Sequence, residues 1–396
     1  MLGYSFMIIL FLNVIAYIYF AITFKDDEKN RAFQFINNKA YLTGAYTKKN
    51  PNYFDEYIDD YIAFIKNGGE EISYHPATEY QMGEMQTKFQ TVIKNNNIGF
   101  NYREHDPNNQ SKEIVVFCIG GSTTYGTLVK DQHTYPYFLE KILHKKIKNR
   151  KVKVYNFGVG SFSPSEESKL FLYLLQMGHR PSVVVFLDGV NLGAPHAGTE
   201  LSSAFERKIK RKNLRFRDIG QAFSQLPLIK LIKGESYFFK MDFFKDKERD
   251  LVEFGFTDSL NNLMVHKFYS NFILRQKIAD LYSVKIIQYL QPTVLTNNQL
   301  NLVVKNSRKY LLSKEGKKLR KNFAFLYNQL LKKENTFIDL SNLFNEKVKH
   351  PLIEFTHYSP DFNYILAMRI AKDVSESCLI NYYFDKHNQA VYPYVH

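Results

Sequence analysis

The chain has almost no cysteine: Cys118 and Cys378 are the only two in 396 residues. That is too few for a disulfide scaffold. Cys118, inside an apolar run, reads as a packed thiol, which leaves the redox compartment open. The G-x-G-x-x-G dinucleotide fingerprint is missing. Gly121–Gly126 has the spacing of a phosphate loop, but Thr127 and Leu128 stand where Lys and Ser or Thr are required. His133, His179, His196 and His266 lack metal-ligand spacing. Neither a cofactor nor a metal is therefore expected. No recognition module for DNA or RNA accompanies the basic residues, so nucleic acid is not an expected partner.

Hydrophobic residues make up 45% of the chain, enough for a substantial core, and the net charge of +14 favours anionic surroundings. Leu2–Phe24 runs for 23 residues without a charge. As a helix it would span about 34 Å, enough to cross a bilayer. No Lys or Arg precedes the run, and Tyr17, Tyr19 and Phe20 crowd the end where a cleaved signal peptide needs small residues. An uncleaved single-pass membrane anchor over residues 1–24 is the expectation. Lys25, Lys29 and Arg31 after the span favour a cytoplasmic body, but long domains translocate regardless of such charges.

Residues 25–110 are polar and aromatic, with a helix-like piece near Tyr53–Ile65 and no compact strand pattern. They read as a lead-in that leans on the core. From 111 to 384 apolar strands and periodic helices alternate. The strands are Ile114–Ile119, Val152–Phe157, Val183–Leu187, Val284–Leu290 and Thr336–Leu340. The helices cover His133–Lys148, Ser163 to Gly178, Leu260–Leu281, Ser307–Lys332 and Pro360 to about Ile380, with a tail at 385–396. Alternation of this kind implies right-handed crossovers and a parallel sheet covered on both faces. An interruption, residues 193–258, holds seven basic residues within Arg207–Arg217 and then the aromatic run Tyr237–Phe244. Its position after a strand's carboxyl end suits a lid, and its charge suits an anionic surface; a solvated basic helix face is the plainer reading.

The strand Ile114–Ile119 runs into Gly120 and Gly121, so Ser122 stands at the lip of the sheet, where open α/β folds place their ligands. A serine there is either a nucleophile or part of a helix cap. Three other segments lie at strand ends: Gly158–Ser161, Asn191 and Ile353–Asn363. The last contains Glu354 three residues before His357. That spacing lets the carboxylate curl back to the imidazole Nδ1 and leaves Nε2 for a serine. The Asn191 amide, the backbone N–H at Gly160-Ser161 and that of Ser122 are expected to make a three-donor oxyanion hole.

GGSTTYG, NFGVGS, DGVN and EFTHYSPDFN, in this order, resemble the four blocks of the SGNH (GDSL-type) hydrolase superfamily, in a variant with GGS for GDS. The resemblance covers about Lys112–Ser375 apart from the insertion. It implies an α/β fold, a three-layer α/β/α flavodoxin-like sandwich with a parallel central sheet. It also implies a Ser122–His357–Glu354 triad and an oxyanion hole from Ser122, Gly160 or Ser161, and Asn191. The sequence departs from the pattern at Glu354, where the family has Asp, at Ser161, where an ungapped alignment wants glycine, and at Leu192. The implied activity is cofactor-free cleavage of acyl esters, acetyl esters above all. The substrates implied are glycans or lipids of the cell envelope outside the cytoplasm, reached from the tether at residues 2–24. An O-acyltransferase using the same triad, and a catalytically inactive binding protein of the same fold, are the alternatives.

Overall fold

The computed structural model describes residues 10–16, 18–19, 53–66, 69–109, 113–148, 150–193, 258–296, 299–303, 305–333, 337–345, 348, 351–353 and 355–387. The basic cluster Arg207–Arg217 and the aromatic run after it lie outside the described residues, as does most of the uncharged N-terminal stretch. No helix among the described residues is long and apolar enough to cross a membrane. By compactness the chain divides into Met1–Asn37 with Leu201–Phe254, and Asn38–Glu200 with Gly255–His396. In the first unit, residues 10–16 are helical. The second holds the α/β fold.

The lead-in carries more strand than its sequence suggests. Helix α1 (Tyr53–Lys66) is followed by β1 (Ile72–His75) and β2 (Glu79–Met82), an antiparallel hairpin, then by β3 (Met85–Gln86), β4 (Thr91–Ile93) and β5 (Tyr102–Arg103). The last three extend the main sheet antiparallel, through the pair Arg103 and Asn156. The expectation of no compact strands in residues 25–110 is thus corrected. Strands of two to four residues are too short to show a clear period of two in sequence.

The remaining strands are parallel: β6 (Ile114–Gly120), β7 (Val152–Gly158), β8 (Val183–Asp188), β9 (Lys285–Leu290) and β10 (Ile338–Asp339). Between them run α2 (Ser122–Tyr125), α3 (Tyr135–Lys146), α4 (Pro164–Gln176), α5 (Asp258–Tyr282), α6 (Lys305–Leu312) and α7 (Lys314–Leu331), and α8 (Pro360–His387) closes the fold. The expected helix Ser307–Lys332 is broken in two. Ser313 interrupts it by capping α7, its side chain accepting from Gly316 N–H. Sequence and structure agree closely on α4, which opens with a Ser163/Glu166 capping box and Pro164 in its first turn.

Side-chain alternation fixes the layers. Phe117 packs beside His179, and Phe186 meets Phe171 of α4 and the Arg275 guanidinium of α5. The intervening residues point the other way. Cys118 neighbours Tyr135 of α3, and Tyr289, in register with Leu187, donates to Asp373 of α8 at 2.7 Å. Successive strand residues face opposite sides. So α4, α5 and α7 cover one face, α3 and α8 the other, and the fold is a three-layer α/β/α sandwich. Cys118 is a free, buried thiol whose pKa is pushed up by burial.

The parallel order is β7-β6-β8-β9-β10, the flavodoxin-like 2-1-3-4-5 arrangement. From β6 one crossover passes through α3 and the next through α4, on opposite faces. The carboxyl end of β6 is therefore the switch point, where the diverging connections leave a crevice.

Candidate active site

Ser122 opens α2 directly after β6. The N-cap of this one-turn helix is Gly121, and no side chain caps it. The Ser122 hydroxyl is instead engaged by His357, whose Nε2 lies 2.8 Å from Oγ across 235 residues of sequence. The helix-cap alternative is thereby set aside. Gly121 is required by crowding, since a Cβ there would run into the Asn191 amide nitrogen. A Cβ on Gly158 would likewise strike the backbone of Tyr125, so the end of β7 fits only as glycine.

His357 is buried on a loop held shut at both ends. Ile353 N–H donates to His357 O at 2.9 Å, Ser359 N–H donates to Pro351 O at 2.9 Å, and Leu352 bridges Tyr358. Tyr358 Oη donates to Pro292 O at 2.7 Å, tying the loop to the end of β9. The Ser359 hydroxyl accepts from Phe362 N–H in the first turn of α8, and the Asn363 amide donates to His133 O at 2.9 Å. The histidine is thus fixed between the ends of two elements. Glu354, expected to orient the imidazole, lies outside the described residues.

Asn191 follows β8 in a short 3-10 turn, Val190–Gly193, and its Nδ2 donates to Phe162 O at 2.7 Å. That bond uses one amide hydrogen and fixes the side chain beside Gly121, leaving a second hydrogen on the same nitrogen. The turn after β7 is pinned by Val159 N–H donating to Gly120 O at 3.0 Å and by Tyr80 Oη donating to Gly160 O at 3.2 Å. Ser161 adopts φ +66°, the left-handed conformation in which glycine is at ease. The backbone here follows the path a glycine would take, although the residue is serine. Gly160 and Ser161 therefore both lie on the loop at the β7 end, beside Ser122 and Asn191 at the neighbouring strand ends.

Asp188, at the end of β8, pairs with the buried Arg275 guanidinium, which also donates to Glu167 Oε2 and Pro164 O, both at 2.9 Å. Burial and then the neighbouring Asp188 push the Glu167 pKa well up, while the Arg275 guanidinium pulls it back. This cluster binds β8 to α4 and α5 and so fixes where Asn191 begins. Among the described residues no three His, Cys, Asp or Glu side chains are gathered to hold a metal ion.

No protein-family model matches the sequence, and no curated protein matches it. Solved structures share part of the fold. One is a putative lipolytic protein of the G-D-S-L family from Desulfitobacterium hafniense, at 11% identity over 65% of this chain and 98% of that one, with TM-score 0.34. A second is an acetyl xylan esterase, at 14% identity, 66% and 100% coverage and TM-score 0.35. A third is the lipase/acylhydrolase from Enterococcus faecalis, at 13% identity, 66% and 95% coverage and TM-score 0.36. Overlap of this extent decides neither the fold nor the reaction. The strand order of this chain carries the fold.

Two residues of the lead-in enter the site without any motif to announce them. Arg103, on β5, is fully buried. Its guanidinium donates to Tyr125 O and Gly126 O at 2.7 Å, to Val129 O at 2.6 Å and to Asp131 Oδ1 at 2.7 Å. These carbonyls end the turn behind Ser122, so Arg103 holds the Ser122 turn in place. Glu70, on the turn after α1, accepts from Thr127 Oγ1 at 3.2 Å. Burial pushes its pKa up, while the nearby His357, Thr127 and Arg103 pull it back. In sequence both residues sit in a segment with no hydrophobic period, and no local signal separates them from solvated charges.

Proposed function

We propose that this chain is a membrane-anchored serine esterase of the SGNH type that hydrolyses acyl esters, acetyl esters above all, on cell-envelope glycans or lipids. The observation that carries the reading is the 2.8 Å approach of His357 Nε2 to Ser122 Oγ at the carboxyl end of β6. Ser122 Oγ attacks the ester carbonyl while His357 takes the hydroxyl proton. The negative charge that develops on the carbonyl oxygen is met by the N–H groups of Ser122 and the Gly160-Ser161 turn and by the Asn191 amide. The C–O bond to the alcohol then breaks, His357 returns its proton to the departing alkoxide, and water repeats the sequence on the acyl-enzyme. Glu354 orients the imidazole and supports the imidazolium.

Membrane attachment rests on the 23 uncharged residues Leu2–Phe24, and an extracytoplasmic location on the nature of the proposed substrates. The basic cluster Arg207–Arg217 offers a surface for an anionic polymer or headgroup.

A fluorophosphonate probe tests the reaction. The wild-type chain is expected to be labelled and to release acetate from a small ester, and Ser122→Ala to do neither. An unlabelled wild type that leaves the ester intact would falsify the esterase reading. Adding a sugar acceptor and comparing acyl transfer with free acid release separates esterase from O-acyltransferase.

A further inference from the structure

One carboxyl group at the site lies outside the proposed Ser122–His357–Glu354 triad. Glu70 comes from the segment before the sheet, yet its Oε2 reaches the oxyanion loop. It lies 3.9 Å from the place where a side chain on Gly160 would begin, and no other described atom outside residues 159–161 comes within 4 Å of that place. The loop at Gly160 therefore opens onto space walled by a carboxyl oxygen. An ester bound at Ser122 has its carbonyl at this loop, so the groups flanking the carbonyl meet that wall. Thr127 Oγ1 supplies Glu70 Oε2 with one hydrogen bond, and the Gln90 side chain offers the carboxyl a second. A carboxyl group has room for several more, and an apolar chain laid against it strands a polar group away from water.

We propose that Glu70 accepts a hydrogen bond from a hydroxyl of the substrate, so that the site takes acyl esters of polyhydroxylated alcohols such as sugars rather than esters of lipid chains. The inference rests on the esterase reading and narrows its substrate class from glycan or lipid to glycan. It does not depend on the protonation state of Glu70. Burial favours the neutral acid and His357 favours the carboxylate, but each form keeps an oxygen lone pair for a hydroxyl donor. Thr127 holds the carboxyl in place from the nucleophile's own loop, so the contact stays in register with Ser122.

The test pairs a change in the protein with a change in the substrate. Acetate release by the full chain is measured on a methyl xyloside bearing one acetyl group and free hydroxyls, on the same acetate with those hydroxyls O-methylated, and on p-nitrophenyl acetate. Wild type, Glu70→Leu and Glu70→Gln are compared. The wild type is expected to prefer the free-hydroxyl sugar about tenfold in kcat/KM over its methylated form. Glu70→Leu is expected to abolish that preference, and Glu70→Gln, which keeps a carbonyl acceptor, to retain most of it. The non-additive part of this cycle reports the contact itself. The wild-type arm needs no variant to fold. A wild type indifferent to methylation overturns the inference alone, as does a Glu70→Leu variant that slows both sugar esters equally. Cleavage of p-nitrophenyl acetate but of neither sugar ester also overturns it while sparing the esterase reading. A wild type that cleaves none of the three and escapes the fluorophosphonate overturns both.

Discussion

At the scale of single residues, Arg103 joins folding to the site. Its guanidinium ties three carbonyls behind Ser122 to the Asp131 carboxylate, all out of water. Arg103→Met would leave Asp131 buried without its partner, a change that typically costs about 3–5 kcal/mol. The expected outcome is a lower unfolding midpoint and, in the fraction still folded, slower labelling of Ser122. Wild-type labelling of the folded variant would show that the nucleophile turn stands without the arginine. Arg103→Lys is expected to recover only part, because an ammonium group cannot fork across several carbonyls. Ser122 and Asn191 were legible in sequence because each follows a strong apolar strand, and His357 because a glutamate stands three residues before it just ahead of a helix. Arg103 and Glu70 were not, because their roles come from packing across segments, which no local pattern encodes.

At the scale of elements, the apolar runs foretold the five parallel strands and most of the helices. They did not foretell β3, β4 and β5, short strands added one after another beyond β7, whose pairing depends on the strand next in line rather than on their own composition. The connection from α2 to α3 carries a pH-sensitive group. His133 is buried there, and burial, followed by the charges of Lys130 and Arg103, holds its imidazole down at about 3 against an ordinary 6.5. Between these values the unfolded chain binds a proton that the folded chain refuses. Its contribution is complete above 6.5 and is lost as pH falls toward 3, at up to about 1.4 kcal/mol per pH unit. Denaturant midpoints across this window are expected to fall less steeply for His133→Gln than for the wild type. Identical slopes would mean that His133 protonates without penalty. His133 O is also the acceptor for Asn363 of α8, so acid would loosen the join between the nucleophile's segment and the histidine's.

At the scale of the whole molecule, a basic chain with an uncharged N-terminal stretch suits an enzyme held at an anionic surface. The full chain is expected to stay with membranes through alkaline carbonate washing, and the chain without residues 1–24 to be released. Release of the full chain by the wash would refute the anchor. If the basic cluster docks an anionic polymer, neutralising Arg207–Arg217 should raise KM for that polymer and leave p-nitrophenyl acetate turnover unaffected. Equal losses on both would refute the docking surface.

The two reacting side chains are supplied by distant stretches of one polypeptide, and this has a consequence in time. On a ribosome adding roughly 5–20 residues per second, about 10–50 seconds separate the synthesis of Ser122 from that of His357. Through that interval Ser122 exists without His357, an ordinary alcohol. On the proposed mechanism the hydroxyl becomes a nucleophile only when the loop before α8 emerges and docks. Ester turnover would therefore serve as a clock for refolding, silent in every partly assembled chain and switched on by the final docking event.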